Sequence, residues 1–443
     1  MPRWVHIPRT GLLAALLLAL WLPSARGQSL IRDAEIEYAL HELARPVISA
    51  AGLNPATLRV MILNDSSMNA FVADHRTVFL HSGLLLRLET PAQVQAVIAH
   101  ELAHIANGHI TRRMANLRGA RSIGAIGLVL AAAAASVDAR AGVGVAIGTA
   151  STAQRLFFAH TRAEEAAADQ SGVRFMADAG VDPNAMIEVL ELFRGQEALS
   201  VSRRDPYALT HPLSSERLRA LKGYAAGYSG GSESASSRYW HARARGKLEA
   251  FLRNPSYTLR KIGRSDTSDV ALMRRAIAYH RQPDTAKAMK AIDQLAANRP
   301  KDPFVHELRG QILLESRQFS AAVNAYERAV SLAPKHPLIL SGYGRALLAL
   351  NTAGADRKAL AVLERAHARD PYDPRMLRDL AQVHARLGQN GLASVATAER
   401  YALGGRLTDA AVHAKRAEGL LARGSPGWLR AQDILGAAAQ AKR

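Results

Sequence analysis

Apolar residues recur at three- and four-residue spacing along most of this chain, the signature of helices packed by one face. Ile31, Ile36, Leu40, Leu43 and Val47 predict a helix over residues 29–51, stopped by Gly52-Leu53-Asn54-Pro55. Residues 59–63 and 77–81 break that spacing with short β-branched and apolar runs, and read as strands beside the turn-rich stretches 64–67 and 73–76. Thr90 then supplies a helix cap, Pro91 suits the first turn, and Gln93 completes a capping box. The helix so started places residues 100–104 at its middle. An acidic helix follows at 161–169 and onward, ended by Gly180-Val181-Asp182-Pro183, with another from Asp182 to about Arg194. Residues 223–238 are dense in Gly and Ser, the composition of a flexible connection.

Beyond about residue 265 the pattern repeats. Pro300, Pro334 and Pro371 close successive units at intervals of 34 and 37 residues, the first being the tetratricopeptide period. In the clearest unit Leu308, Gly310 and Leu313 mark one helix and Phe319, Ala322, Tyr326 and Ala329 its partner. The next has Gly344 and Leu348 and an insertion at 351–354, and a third pair spans 380–403. Alternating small and large residues is what stacked helix hairpins need to interdigitate; an irregular helical bundle is the other possibility. The expected fold is mainly α, a helical domain with a small β-sheet followed by an α-solenoid. It divides into a leader (1–27), a first domain (28–225), a linker with a connecting helix (226–264) and a repeat domain (265–443).

The leader has the three parts of a secretory signal peptide: Arg3 and Arg9, an apolar run from Gly11 to Leu22, then Pro23-Ser24-Ala25-Arg26-Gly27. Twelve apolar residues are few for a bilayer span. Cleavage after Gly27 and export are therefore expected. The chain has no cysteine, so neither a lipoprotein anchor nor disulfides are predicted. With 443 residues and 48% hydrophobic content it can bury two or three cores. A formal charge of +19, mostly scattered arginine, suits anionic partners such as an acidic lipid or lipopolysaccharide surface, or simply solvated helix faces. Nucleic acid would suit the charge as well, but no motif for it occurs and none is expected as a partner. Residues 119–150 are rich in Ala and Gly, with Asp138 and Arg140 in the middle. They predict either a mobile hairpin over a cleft or on a membrane surface, or a buried alanine-rich helix pair.

The candidate chemistry lies in His100-Glu101-Leu102-Ala103-His104. Residues four apart on a helix share a face, so the two imidazoles can grip one cation. Glu101 projects obliquely, where it can take a proton from a metal-activated water, the division of labour in HExxH zinc peptidases. Two helix histidines beside a surface Glu are the simpler alternative. A catalytic zinc needs a third ligand. Asn107 and Ile110 stand where a metzincin needs Gly and His, which excludes that class. Glu165 on the acidic helix is a candidate, with Asp169 one turn on to orient a ligand histidine, while Glu164 would face elsewhere. A solvated acidic face is the alternative for that segment.

Three motifs now fall in one order: His100 to His104, Thr161-Arg162 with Glu165 and Ala168-Asp169, and His211-Pro212 with Arg217. Over residues 30–225 they resemble the gluzincin metallopeptidases of the HtpX and CAAX prenyl protease type, with Thr161 in place of the usual Ser. An export signal and a tetratricopeptide-like tail narrow the resemblance to periplasmic members that serve β-barrel assembly. The resemblance implies one zinc ion per subunit held by His100, His104 and Glu165, with Glu101 as proton carrier. It implies that His211 can take the fourth zinc position and hold the enzyme latent, or help stabilise the transition state, and that Arg217 anchors its segment through a carboxylate. It places the edge strand that receives substrate at Asn69-Ala70-Phe71, although Ala73-Asp74-His75 departs from the family's Pro-Gly-Gly turn. His75 and His81 read as ordinary surface or core residues. The implied substrates are unfolded or misassembled outer-membrane β-barrel proteins, met at the barrel assembly machinery, with a chaperone-like second role. Two other classes stay open: a latent peptidase acting mainly as chaperone or scaffold, and a repeat adaptor with a structural metal.

Overall fold

The computed structural model describes residues 29–112, 161–200, 203–228, 230–263 and 265–441. The signal-peptide expectation and the 119–150 hairpin lie outside the described residues. The first element corrects an expectation. Residues 29–51 are not one helix: Ser29–Ile31 is a strand, β1, and helix α1 is Ala34–Ala50. Asp33 causes the change, since its extended backbone lets its carboxylate accept the N–H groups of Glu35 and Ile36 and start the helix there. Ile31 and Ile36 are five apart, a spacing that fits no helical face.

Strands β2 (Arg59–Asn64) and β4 (Thr77–His81) pair in parallel, and β3 (Ala70–Val72) is antiparallel to β4. With β1 antiparallel to β2, the sheet order is β1-β2-β4-β3, which leaves β3 on an edge among the described residues. Helix α2 (Ser82–Arg87) follows β4 directly, and Gly83 is required there because a Cβ would lie 2.1 Å from the Ser66 carbonyl oxygen. Helix α3 (Pro91–Ala106) has the expected cap, with both halves of the Thr90–Gln93 box formed. It is shorter at its far end than expected, so His104 sits in the last turn rather than mid-helix.

Helix α4 (Arg162–Asp178) lies along α3. Gly172 permits the close approach, since a Cβ there would stand 3.5 Å from the His100 backbone nitrogen and 2.9 Å from Met186 Cε. Leu40, Val47, Val97, Ile98, Leu102 and Met176 form part of one apolar core beneath this crossing. Helices α5 (Asn184–Glu191), α6 (Pro206–Thr210) and α7 (Ser215–Ala226) close the domain.

Helix α8 (Ala235–Leu252) packs along α1, and its buried Arg243 and Lys247 meet Glu35 and Asp33, with Lys247 Nζ 2.9 Å from Asp33 Oδ2. After it and a short helix at Pro255–Lys261, five helix pairs stack. They are Asp269–Arg281 with Thr285–Asn298, Pro303–Glu315 with Phe319–Leu332, Pro337–Ala349 with Ala353–His367, Pro374–Arg386 with Asn390–Leu403, and Leu407–Leu420 with Pro426–Gln440. Gly310 faces the Tyr326 ring, where a Cβ would come within 2.6 Å, and Gly344 faces Leu363, so the small positions admit the large ones. The array returns to the first domain at Asp370, which pairs with Arg32 and with Arg59 at 3.1 Å. Mainly helical, with a small sheet near its start and a solenoid-like run of helices after it, the architecture is the expected one. Among the described residues no helix is long and apolar enough to cross a membrane.

Candidate metal centre

Two helix starts set the site. The capping box of α3 fixes the phase that turns His100 and His104 toward α4. On α4 the box is Thr161 with Glu164: the hydroxyl accepts the Glu164 N–H at 3.2 Å and the carboxylate accepts the Thr161 N–H at 3.0 Å. That contact occupies Glu164 and leaves Glu165, one position on, facing the histidines. Threonine in place of serine keeps the capping oxygen.

His100, His104, Glu165 and His211 each offer one ligand atom, all within 4.8 Å of one another, and each residue is at most 2% exposed. His104 Nε2 lies 3.1 Å from His100 Nε2, and His211 Nδ1 lies 3.2 Å from His100 Nε2 and 3.0 Å from Glu165 Oε1. Glu165 oxygens stand 3.4 Å from His104 Nε2 and 3.5 Å from His100 Nε2. Tetrahedral zinc with bonds of about 2.0–2.1 Å holds its donor atoms roughly 3.3 Å apart. The spacing of the four donors therefore fits one such ion. Imidazole lone pairs this close repel unless a cation or a proton lies between them, which points the same way.

Around these donors a second set of contacts fixes orientation. His100 Nδ1 is 3.1 Å from Asp169 Oδ1. Arg217 donates from Nε and Nη2 to the two Asp169 oxygens at 2.6 and 2.8 Å, and its Nη1 is 2.6 Å from Glu165 Oε2. One guanidinium thus straps both carboxylates, and Ser214 capping α7 through the Arg217 N–H puts it there. Burial works against charge on Glu165, but His211, Arg217 and His100 hold its carboxyl well below the usual range. Burial would likewise lower His100, yet Glu165 and Asp169 raise it to about 10. His104 is pushed down to about 3, chiefly by burial.

Glu101 is fully buried, and neither of its oxygens accepts a hydrogen bond among the described residues. His211 Nε2 stands 3.4 Å from Glu101 Oε1 and 3.4 Å from the Ala70 carbonyl on β3. Burial raises the Glu101 carboxyl above its ordinary value, a bias toward accepting a proton. Tyr207 stacks on His211 with ring centroids 4.4 Å apart, and Phe193 on Tyr207 at 4.7 Å. The Tyr207 N–H donates to the Met68 carbonyl at 3.2 Å, tying the His211 segment to the approach of the edge strand.

Residues 32–225 match Peptidase family M48. The peptidase part of this chain belongs to that family. The Beta-barrel assembly-enhancing protease of Escherichia coli K12 is 27% identical over 399 residues, covering 86% of this chain and 78% of that protein. The Protease HtpX of Photorhabdus laumondii is 38% identical over 105 residues, 22% of this chain and 35% of that one. Among solved structures, a thermophilic TPR protein of Thermus thermophilus aligns with 38% of this chain and 99% of its own, at 18% identity and a TM-score of 0.26.

The structure brings together the residues the sequence offered for the centre: His100, Glu101, His104, Glu165, Asp169, His211 and Arg217. His75 is exposed, and His81 is buried away from the cluster beside Ser67. One neighbour escaped the sequence reading. His109 Nδ1 lies 2.8 Å from His104 Nδ1, and the available signal was a histidine directly after the helix-ending Gly108.

Proposed function

We propose that this chain is an exported, periplasmic zinc endopeptidase with one ion per subunit, joined to a tetratricopeptide-like recognition domain over residues 265–443. The observation that carries this is the convergence of three imidazoles and a carboxylate on one point beside the buried Glu101. His100, His104 and Glu165 would hold zinc, which when bound supplies Lewis acidity toward a scissile carbonyl and lowers the pKa of water. Glu101 takes the proton of the attacking water and returns it to the leaving amine, work suited to a carboxyl whose pKa burial has raised. Asp169 holds the His100 ring, and Arg217 holds Asp169 and Glu165 in register. Strand β3, on the sheet edge among the described residues, is where an extended substrate would add as a further strand, with little demand on its side chains.

His211 supports a latent resting form. Its Nδ1 stands at hydrogen-bonding distance from Glu165 and His100, and its ring lies between Glu101 and β3. Substrate and water need that space, so His211 leaves before hydrolysis. By likeness to the assembly-enhancing protease, the substrates are unfolded or misassembled outer-membrane β-barrel proteins met at the barrel assembly machinery, with a chaperone-like role while the site is closed. The high positive charge suits contact with an anionic membrane surface.

Metal analysis of the purified chain together with Glu101→Gln tests the reading. One zinc per chain is expected in both proteins. Degradation of a denatured substrate should fall by about 10²–10⁴-fold in the variant, the usual worth of a general acid–base group. Undiminished proteolysis by the zinc-loaded variant would remove Glu101 from the chemistry.

A further inference from the structure

We infer that His109 is a positioning residue of this centre, its ring nitrogen accepting the Nδ1 proton of His104 and so turning His104 Nε2 toward the other three donors; this rests on the metal reading above. A ligand imidazole binds through one nitrogen and keeps its proton on the other, and that proton needs an acceptor to set tautomer and ring angle. For His100 the acceptor is the Asp169 carboxylate at 3.1 Å. His104 directs Nε2 at His100 and Glu165, and its Nδ1 meets His109 Nδ1 at 2.8 Å. The two rings, 5.0 Å apart and inclined at 62°, are 0% and 2% exposed. With His104 donating, His109 carries its own proton on Nε2.

The chain is shaped to make this contact. Helix α3 ends at Asn107, whose side chain donates to the Ala167 carbonyl at 3.3 Å and to Ser171 Oγ at 3.2 Å, pinning the helix end to α4. Gly108 follows in the left-handed region (φ 68°), with open space where a Cβ would stand, so it is the backbone angle that favours glycine. Helix resumes over residues 109–112, which swings His109 back beneath His104. A buried polar ring is costly unless it is hydrogen-bonded, and a turn residue with only packing to do would serve better as an aliphatic.

The test uses the full mature chain. Zinc affinity is measured by competition with a chromophoric chelator for the parent and for His109→Asn, His109→Gln and His109→Leu, with the melting temperature of each metal-free protein. Asn places an acceptor where ring Nδ1 stands, Gln displaces it by a methylene, and Leu removes it. Leu and Gln should lose about 10–100-fold in zinc affinity, while Asn stays within about threefold of the parent. The metal-free melting temperatures should not follow that order. Unchanged zinc binding in Leu, or equal losses in Asn and Leu, overturns the inference while leaving the metal site standing. A parent chain that takes up no zinc overturns the metal reading and this inference together. Should Leu fail to fold, the Asn–Gln difference decides alone.

Discussion

Two of the clusters of buried charge among the described residues are built differently. One joins α1, α8 and the repeats. There Arg243 meets Glu35 and, at 2.8 Å, Asp302, while Lys247 meets Asp33 at 2.9 Å, Glu35 at 3.2 Å and Glu307 at 3.6 Å. Opposite charges alternate and every cation has its carboxylate. In the other, around His100, nitrogen donors face one another at 3.1–3.2 Å, and the Glu101 carboxyl sits beside them without a hydrogen bond among the described residues. Burial is common to both, so burial alone does not mark function. Like facing like goes further, because such an arrangement persists only if a cation or a proton lies between the facing nitrogens.

The comparison breaks most readily at the first cluster. Arg243→Ala leaves the Glu35 carboxylate, held below its ordinary pKa mainly by Arg243 and Lys247 against the cost of burial, short of its strongest partner. Removing one partner of a buried pair costs about 3–5 kcal/mol, to be read as a lower urea midpoint of the whole chain. Zinc affinity should stay at the parent value, since no ligand touches Arg243. Asp169→Ala should do the reverse: zinc binding weakens about 10–100-fold as His100 loses its acceptor, and metal-free stability changes less. If both variants lose zinc and stability alike, the two clusters form one cooperative unit and the distinction fails.

What could be read in advance follows from range. The capping box at Thr90 is local, four residues from Thr90 to Gln93, and showed its helix start, whereas the equally local box of Thr161 and Glu164 went unread. The small positions at Gly310 and Gly344 were legible because repeats recur in register. The parallel pairing of β2 with β4 and the strand at Ser29–Ile31 were not, since each depends on a partner more than a dozen residues away. At the centre, His100 and Glu101 are adjacent in sequence and plain, whereas His211 becomes meaningful only beside two motifs in the right order. Arg243 and Lys247, on the connecting helix, were not picked out in the sequence, because a cation reads as exposed until its carboxylates are placed. His109 was hidden by a single backbone angle at Gly108.

A lone histidine sharpens the comparison further. His81 is as buried as the metal-centre histidines, but its ring meets Ser67 Oγ at 3.0 Å, with the Asp65 carboxylate no nearer than 3.8 Å. Burial therefore dominates and lowers its pKa to about 4, where His100, flanked by two carboxylates, goes the other way to about 10. Below an unfolded value of 6.5 the unfolded chain binds a proton at His81 that the folded chain refuses until pH falls to about 4. Its contribution to stability is thus whole above pH 6.5 and is lost as pH falls through 4. We expect a loss on the order of 2 kcal/mol across that window, measured by urea unfolding of the chelator-treated chain so that metal release does not contribute. His81→Asn, which can still donate to Ser67, should flatten this limb. Superimposable parent and variant curves would mean that His81 titrates alike in both states, and that a buried histidine without a close carboxylate is more tolerant of charge than its surroundings imply.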